Sequence, residues 1–100
     1  MPNLAKKLAR GNLTTSEVTQ YTVPAATTAV VTNIVITNTN SSASSATVKL
    51  GTFEILSSVS VGGNGVLALD VKQVLNATET ITALAGTTGL RLHVSGLEIS

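Results

Sequence analysis

Ala29-Val-Val-Thr-Asn-Ile-Val-Ile-Thr-Asn38 is the stretch that decides the fold class of this chain. Within it Val30, Ile34 and Ile36 share one parity with Thr32, while Val31, Asn33, Val35 and Thr37 share the other. Successive side chains of a strand point to opposite faces, so the pattern predicts a strand with the even set inward. Val31 and Val35 would then stand on the outer face, which implies a strand covered on both sides, with a partner as the second cover. Branching at Cβ stiffens the side chain and suits a pleated surface, and Thr offers the same shape with a polar tip.

The same chemistry extends along the chain, where 33 of 100 residues are Thr, Val or Ile. Upstream, Val18 to Val23 reads as a strand ended by Pro24. Downstream, the Ser-rich stretch from Thr39 to Ala46 reads as a polar surface tip, followed by a strand from Ala46 to Leu50. Gly51 and Thr52 predict a turn or bulge that changes the phase, after which Phe53, Ile55, Val59 and Val61 recur at period two. Gly62-Gly-Asn-Gly65 is the strongest turn signal and predicts a hairpin, because Asn-Gly tolerates positive φ. Strands then follow around Leu67, Leu69 and Val71, around Ile81 and Ala83, and from Leu90 to Ile99, with a phase shift expected at Gly96. About eight strands without an intervening helical stretch predict an all-β chain, a single antiparallel β-sandwich of jelly-roll type. A closed barrel is the second architecture this spacing allows.

Residues 1–13 differ from the rest. They hold Lys6, Lys7 and Arg10, and Leu4, Ala5 and Leu8 fall at helical spacing before Gly11. The segment is expected to be a short N-terminal arm, with residues 14–100 forming the sandwich. The arm either docks on a neighbouring protein through Leu4, Lys6, Lys7, Leu8 and Arg10 or is a frayed terminus without a role.

Composition narrows the function. Six basic and five acidic residues leave almost no net charge, and only 11% of residues are charged. Nucleic acid needs cations for its phosphates and aromatic faces for its bases, and Tyr21 and Phe53 are the only aromatics. No nucleic-acid partner is expected. Every apolar stretch is broken by Thr, Asn or charge, and no apolar run follows the basic residues at the start. Neither a membrane span nor a secretory signal is expected. Without cysteine, stability must come from packing and strand pairing, and self-association would be a natural supplement.

Reactive constellations are thin. Ser95, His93 and Asp70 supply the residue types of a nucleophilic triad, but Ser95 and His93 are alternate residues of one strand, about 6 to 7 Å apart. Glu54, Asp70, Glu79 and Glu98 are too far apart in sequence to suggest a metal loop. Gly62 to Gly65 lacks the lysine and helix of a phosphate loop. The Asn-X-Ser/Thr triplets at Asn12, Asn40 and Asn76 are chance products of a hydroxyl-rich chain, and the Thr pairs at Thr37/Thr39 and Thr80/Thr82 lack the fixed repeat of an ice-binding array. No enzyme activity, cofactor or metal is expected.

The run from Tyr21 through Val23-Pro24-Ala25 and the strand to Asn38-Thr39, with the Ser-rich tip after it, resembles small β-sandwich proteins from the virions of tailed bacteriophages. Asn64 to Leu69, Val74 to Ile81 and the final Leu90 to Glu98 are similar to later segments of those proteins, so the resemblance spans residues 21–99. The chain departs from that pattern at Ala77-Thr78-Glu79, where a Gly-Asp turn would be usual. The resemblance implies a structural role in the virion, made in the host cytoplasm. The role expected first is capsid decoration or cementing on the outer shell as a homo-oligomer, commonly a trimer, in contact with a major capsid or tail protein. Val31 and Val35 would form the subunit contact, and removing residues 1–13 would abolish docking while leaving the fold intact. The alternative is a neck or tail appendage protein, or a receptor- or carbohydrate-binding module, which the scarcity of aromatics disfavours.

Overall fold

Period-two patterning produces eight antiparallel strands. A computed structural model describes residues 3–99, with the backbone alone for Asn3, Leu4 and Lys6. The strands are β1 (Asn3–Asn12), β2 (Val18–Thr22), β3 (Thr28–Asn38), β4 (Ser44–Leu50), β5 (Phe53–Val61), β6 (Val66–Leu75), β7 (Thr80–Ala85) and β8 (Leu90–Ile99). They form two four-stranded sheets, ordered β1-β8-β3-β6 and β2-β7-β4-β5. Every connection except β4 to β5 passes from one sheet to the other, which is the winding of a jelly roll. The result is a sandwich with extents of 45 × 21 × 17 Å.

The core lies between the sheets and is aliphatic. Ile34 and Ile36 of β3, Leu90, Leu92 and Val94 of β8, and Val48 and Ile81 of the facing sheet are all fully buried. Each such side chain stabilises the fold by about 1.5 to 3 kcal/mol relative to exposure. Asn38 is the polar exception. Its amide donates to the carbonyls of Ser42 and Val61 at 2.9 and 3.1 Å and accepts from the backbone N–H of Asn40 at 2.9 Å. A buried amide is tolerated because its hydrogen bonds are made, and here they clamp the Ser-rich tip to the sandwich.

Four sequence expectations are corrected. Residues 3–12 are not helical but form the edge strand β1, paired antiparallel with β8. Leu8, Ala9 and Leu13 are buried in the core, so the segment is integral to the sandwich. The second correction concerns β3, where a bulge at Thr32 inverts the parity. Val31 pairs with Gly96 and Asn33 with Ser95, leaving Thr32 as the additional residue. Val31 consequently points inward with 0% exposure, and Val30 turns outward.

Third, the turn at Gly62 to Gly65 is present, with Asn64 at φ 54° and the Gly65 N–H donating to the Gly62 carbonyl at 2.9 Å. It joins β5 of one sheet to β6 of the other, so it is an arch between sheets and not a hairpin. Fourth, β8 keeps its phase through Gly96, which stays buried in line with Leu92 and Val94. What Gly96 supplies is space, because a Cβ there would lie 2.0 Å from the Val30 carbonyl oxygen and 3.0 Å from Leu8 Cδ1.

Candidate interaction surfaces

The outer face of the β1-β8-β3-β6 sheet gathers the charge of one sign. β8 is regular, so Arg91, His93, Ser95 and Leu97 all stand on this face. On β1, Lys7 and Arg10 have opposite parity and would point to opposite faces of a regular strand. A bulge at Leu8, between Lys7 opposite Ser95 and Ala9 opposite Val94, turns both outward. Both are exposed. On β6, Asp70 and Lys72 flank Thr32 on the same face. Among the described residues, Lys7, Arg10, Lys72 and Arg91 are therefore accompanied here by Asp70 alone.

The other sheet carries the opposite balance. Glu54 pairs in register with Lys49 on its outer face, and Lys49 Nζ meets Glu17 Oε1 at 2.9 Å. The hydrogen bond and charge of Glu17 hold the Lys49 ammonium above its ordinary pKa. Glu79 accepts from the Asn76 N–H at 2.7 Å in the turn where the sequence departs from a Gly-Asp pattern. Thr78 there takes a positive φ of 72°, the conformation a glycine would adopt without strain.

Apolar surface concentrates on the side where β5 and β6 edge the two sheets. A groove there is lined by Leu50, Phe53, Ile55, Val74 and Leu75, with Glu54 and Glu79 among its polar residues. Phe53 is 79% exposed and Val74 60%. Phe53 keeps the inward parity of its row with Leu50, Ile81 and Tyr21, but it begins the edge strand beyond the facing sheet's cover. Periodicity in the sequence assigns Phe53 to a core face and cannot register that the strand end is uncovered.

The residues expected at a docking arm and a subunit contact are thus dispersed. Leu8 and Val31 belong to the core, Lys7 and Arg10 are exposed on the outer face, and Val35 is half-buried beside His93 on that same face. The side chains of Leu4 and Lys6 lie outside the described residues.

Neither reactive constellation assembles. His93 and Ser95 are alternate residues of β8, and Asp70 sits two strands from Ser95, across Asn33 of β3. Among the described residues no group of three or more His, Cys, Asp or Glu side chains could hold a metal ion.

No family model and no curated protein matches the sequence. Among solved structures, the chain is similar to an exo-β-1,3-galactanase from Phanerochaete chrysosporium, crystallised with galactose, at 18% identity and a TM-score of 0.44. The match covers 97% of this chain but 29% of the galactanase chain. A likeness at that level carries no argument about activity or ligand.

Proposed function

We propose that this chain is a structural protein of a bacteriophage virion, a capsid decoration or cement unit that binds the outer shell as a homo-oligomer and catalyses no reaction. Jelly rolls serve capsids and lectins alike, so the fold by itself does not choose a function. The reading rests on the resemblance over residues 21–99 and on one structural observation that supports association. The only phenylalanine of an aromatic-poor chain is placed on the surface, 79% exposed, beside the exposed Val74. A core this short of large side chains would gain from burying it, whereas interfaces are anchored by such residues.

Two measurements test the proposal. Light scattering of the purified chain across concentration should give a stable oligomer, a trimer in the form the resemblance implies. Antibodies raised against the chain should decorate intact phage particles in electron micrographs. A strict monomer at all concentrations together with unlabelled particles would overturn the reading.

A further inference from the structure

Irregularities in β1, β3 and β6 fall close together around Ser95 of the regular β8 in the β1-β8-β3-β6 sheet. Leu8 of β1 is the additional residue opposite Ser95 and Val94 of β8, Thr32 of β3 is the additional residue opposite Ser95 and Gly96, and β6 slips register opposite Thr32. The aligned irregularities leave a shallow depression on the outer face. Lys7 and Arg10 form its β1 wall, Thr32 its β3 wall, and Ser95 and Leu97 lie along β8. The Thr32 hydroxyl donates to the Ser95 carbonyl at 3.1 Å and fixes the crease.

We infer that this depression is a docking site for a carboxylate-bearing segment of an acidic protein surface. The inference deepens the reading of the chain as a protein that binds a larger protein assembly, and it rests on that reading. A regular β1 would separate the two cations onto opposite faces, so the bulge at Leu8 converges them on one site. Lys7 and Arg10 together can engage a carboxylate with charge-assisted hydrogen bonds. Arg91 and Lys72 elsewhere on the face add long-range attraction, which speeds and orients encounter. Half-buried Val30 and Leu97 beside the cations supply the mixed apolar and charged character of a protein interface. Nucleic acid fits less well, because Phe53 and Tyr21 both belong to the other sheet, which leaves the imidazole of His93 as the one ring among the described residues on this face. A second copy meeting the site with the same face would set cation against cation.

Bulges and lysines on an edge strand also protect it from pairing with other chains, and the test must separate that role from docking. The probe is a fluorescein-labelled oligoglutamate peptide, followed by anisotropy at low salt and at about 0.5 M salt. Wild-type protein should bind it, and added salt should release it. Lys7→Ala/Arg10→Ala should weaken binding by about tenfold or more, while Lys49→Ala on the opposite sheet should leave it unchanged. Ser95→Asp places a carboxylate in the depression and keeps both edge cations, so it should abolish binding without aggregation. Wild-type affinity in Ser95→Asp would overturn the site even if the double variant aggregates. Preferential binding of duplex DNA or of phosphatidylglycerol vesicles over the peptide would overturn the protein carboxylate as ligand. Failure of any of these leaves the oligomer and particle-labelling results standing, because neither of those depends on the depression.

Discussion

At the scale of single residues, Tyr21 ties the two sheets together. It lies on β2, and its hydroxyl donates to Glu98 of β8, 77 positions away in sequence. Burial, then the hydrogen bond to Glu98 and then the carboxylate's charge all favour the neutral phenol, so its pKa rises above the ordinary 10.0. A folded-state pKa above the unfolded one contributes stability that is complete below about pH 10 and is lost as pH climbs toward the folded value. As this is the only tyrosine, an ultraviolet titration reads it directly. The phenolate should appear at higher pH in the folded protein than in denaturant, and Tyr21→Phe should cost about 1 kcal/mol near neutral pH. That variant should also lose the alkaline decline in stability, measured by urea unfolding at several pH values. A folded midpoint equal to the denatured one would refute the inter-sheet bond. The sequence places Tyr21 on a strand, but nothing in its neighbourhood names Glu98, because the partner is set by how the sheets stack.

Among elements, β1 makes the clearest contrast between what the sequence discloses and what it withholds. The helical expectation rests on Leu4, Ala5 and Leu8, and the spacing of four between the two leucines fits a strand as well as a helix, while Leu8 and Ala9 are consecutive inward residues around a bulge that breaks period two. The bulge at Thr32 misleads in the same way, sending Val31 to the core and Val30 outward. A strand without such an irregularity was legible: β8 runs from Leu90 to Ile99 and alternates as expected up to Val94, but the phase shift expected at Gly96 is absent, so Leu97 stands outward. A bulge is a relation between two strands, so one strand's periodicity does not carry it. Deleting residues 2–13 therefore has a different consequence from removing an arm. It strips Leu8, Ala9 and Leu13 from the core and exposes the edge of β8. The loss should be about 3 to 6 kcal/mol, much of a small domain's stability. Circular dichroism melts and light scattering should find the truncated chain unfolded or aggregated, and a truncated chain that melts like the full one would contradict the edge-strand assignment.

For the molecule as a whole, a near-neutral composition conceals two unlike sheets and one apolar side. Outward cations cluster on β1-β8-β3-β6, while Glu17 and Glu54 accompany Lys49 on the other sheet. The four edge strands each carry a register irregularity, at Leu8 in β1, near Gln20 in β2, in the β4–β5 pairing and in β6 opposite Thr32. Irregular edges resist strand addition, which directs association toward side-chain surfaces. The surface that offers the largest apolar anchor is the groove holding Phe53 and Val74. If self-association uses it, Phe53→Ser should weaken the oligomer by about 2 kcal/mol, roughly thirtyfold in dissociation constant. The melting temperature measured at concentrations where the protein is monomeric should barely move, because a side chain 79% exposed contributes little to the fold of one subunit. Sedimentation velocity across a dilution series separates the two effects. An unchanged association constant in Phe53→Ser would remove the groove from the interface between copies.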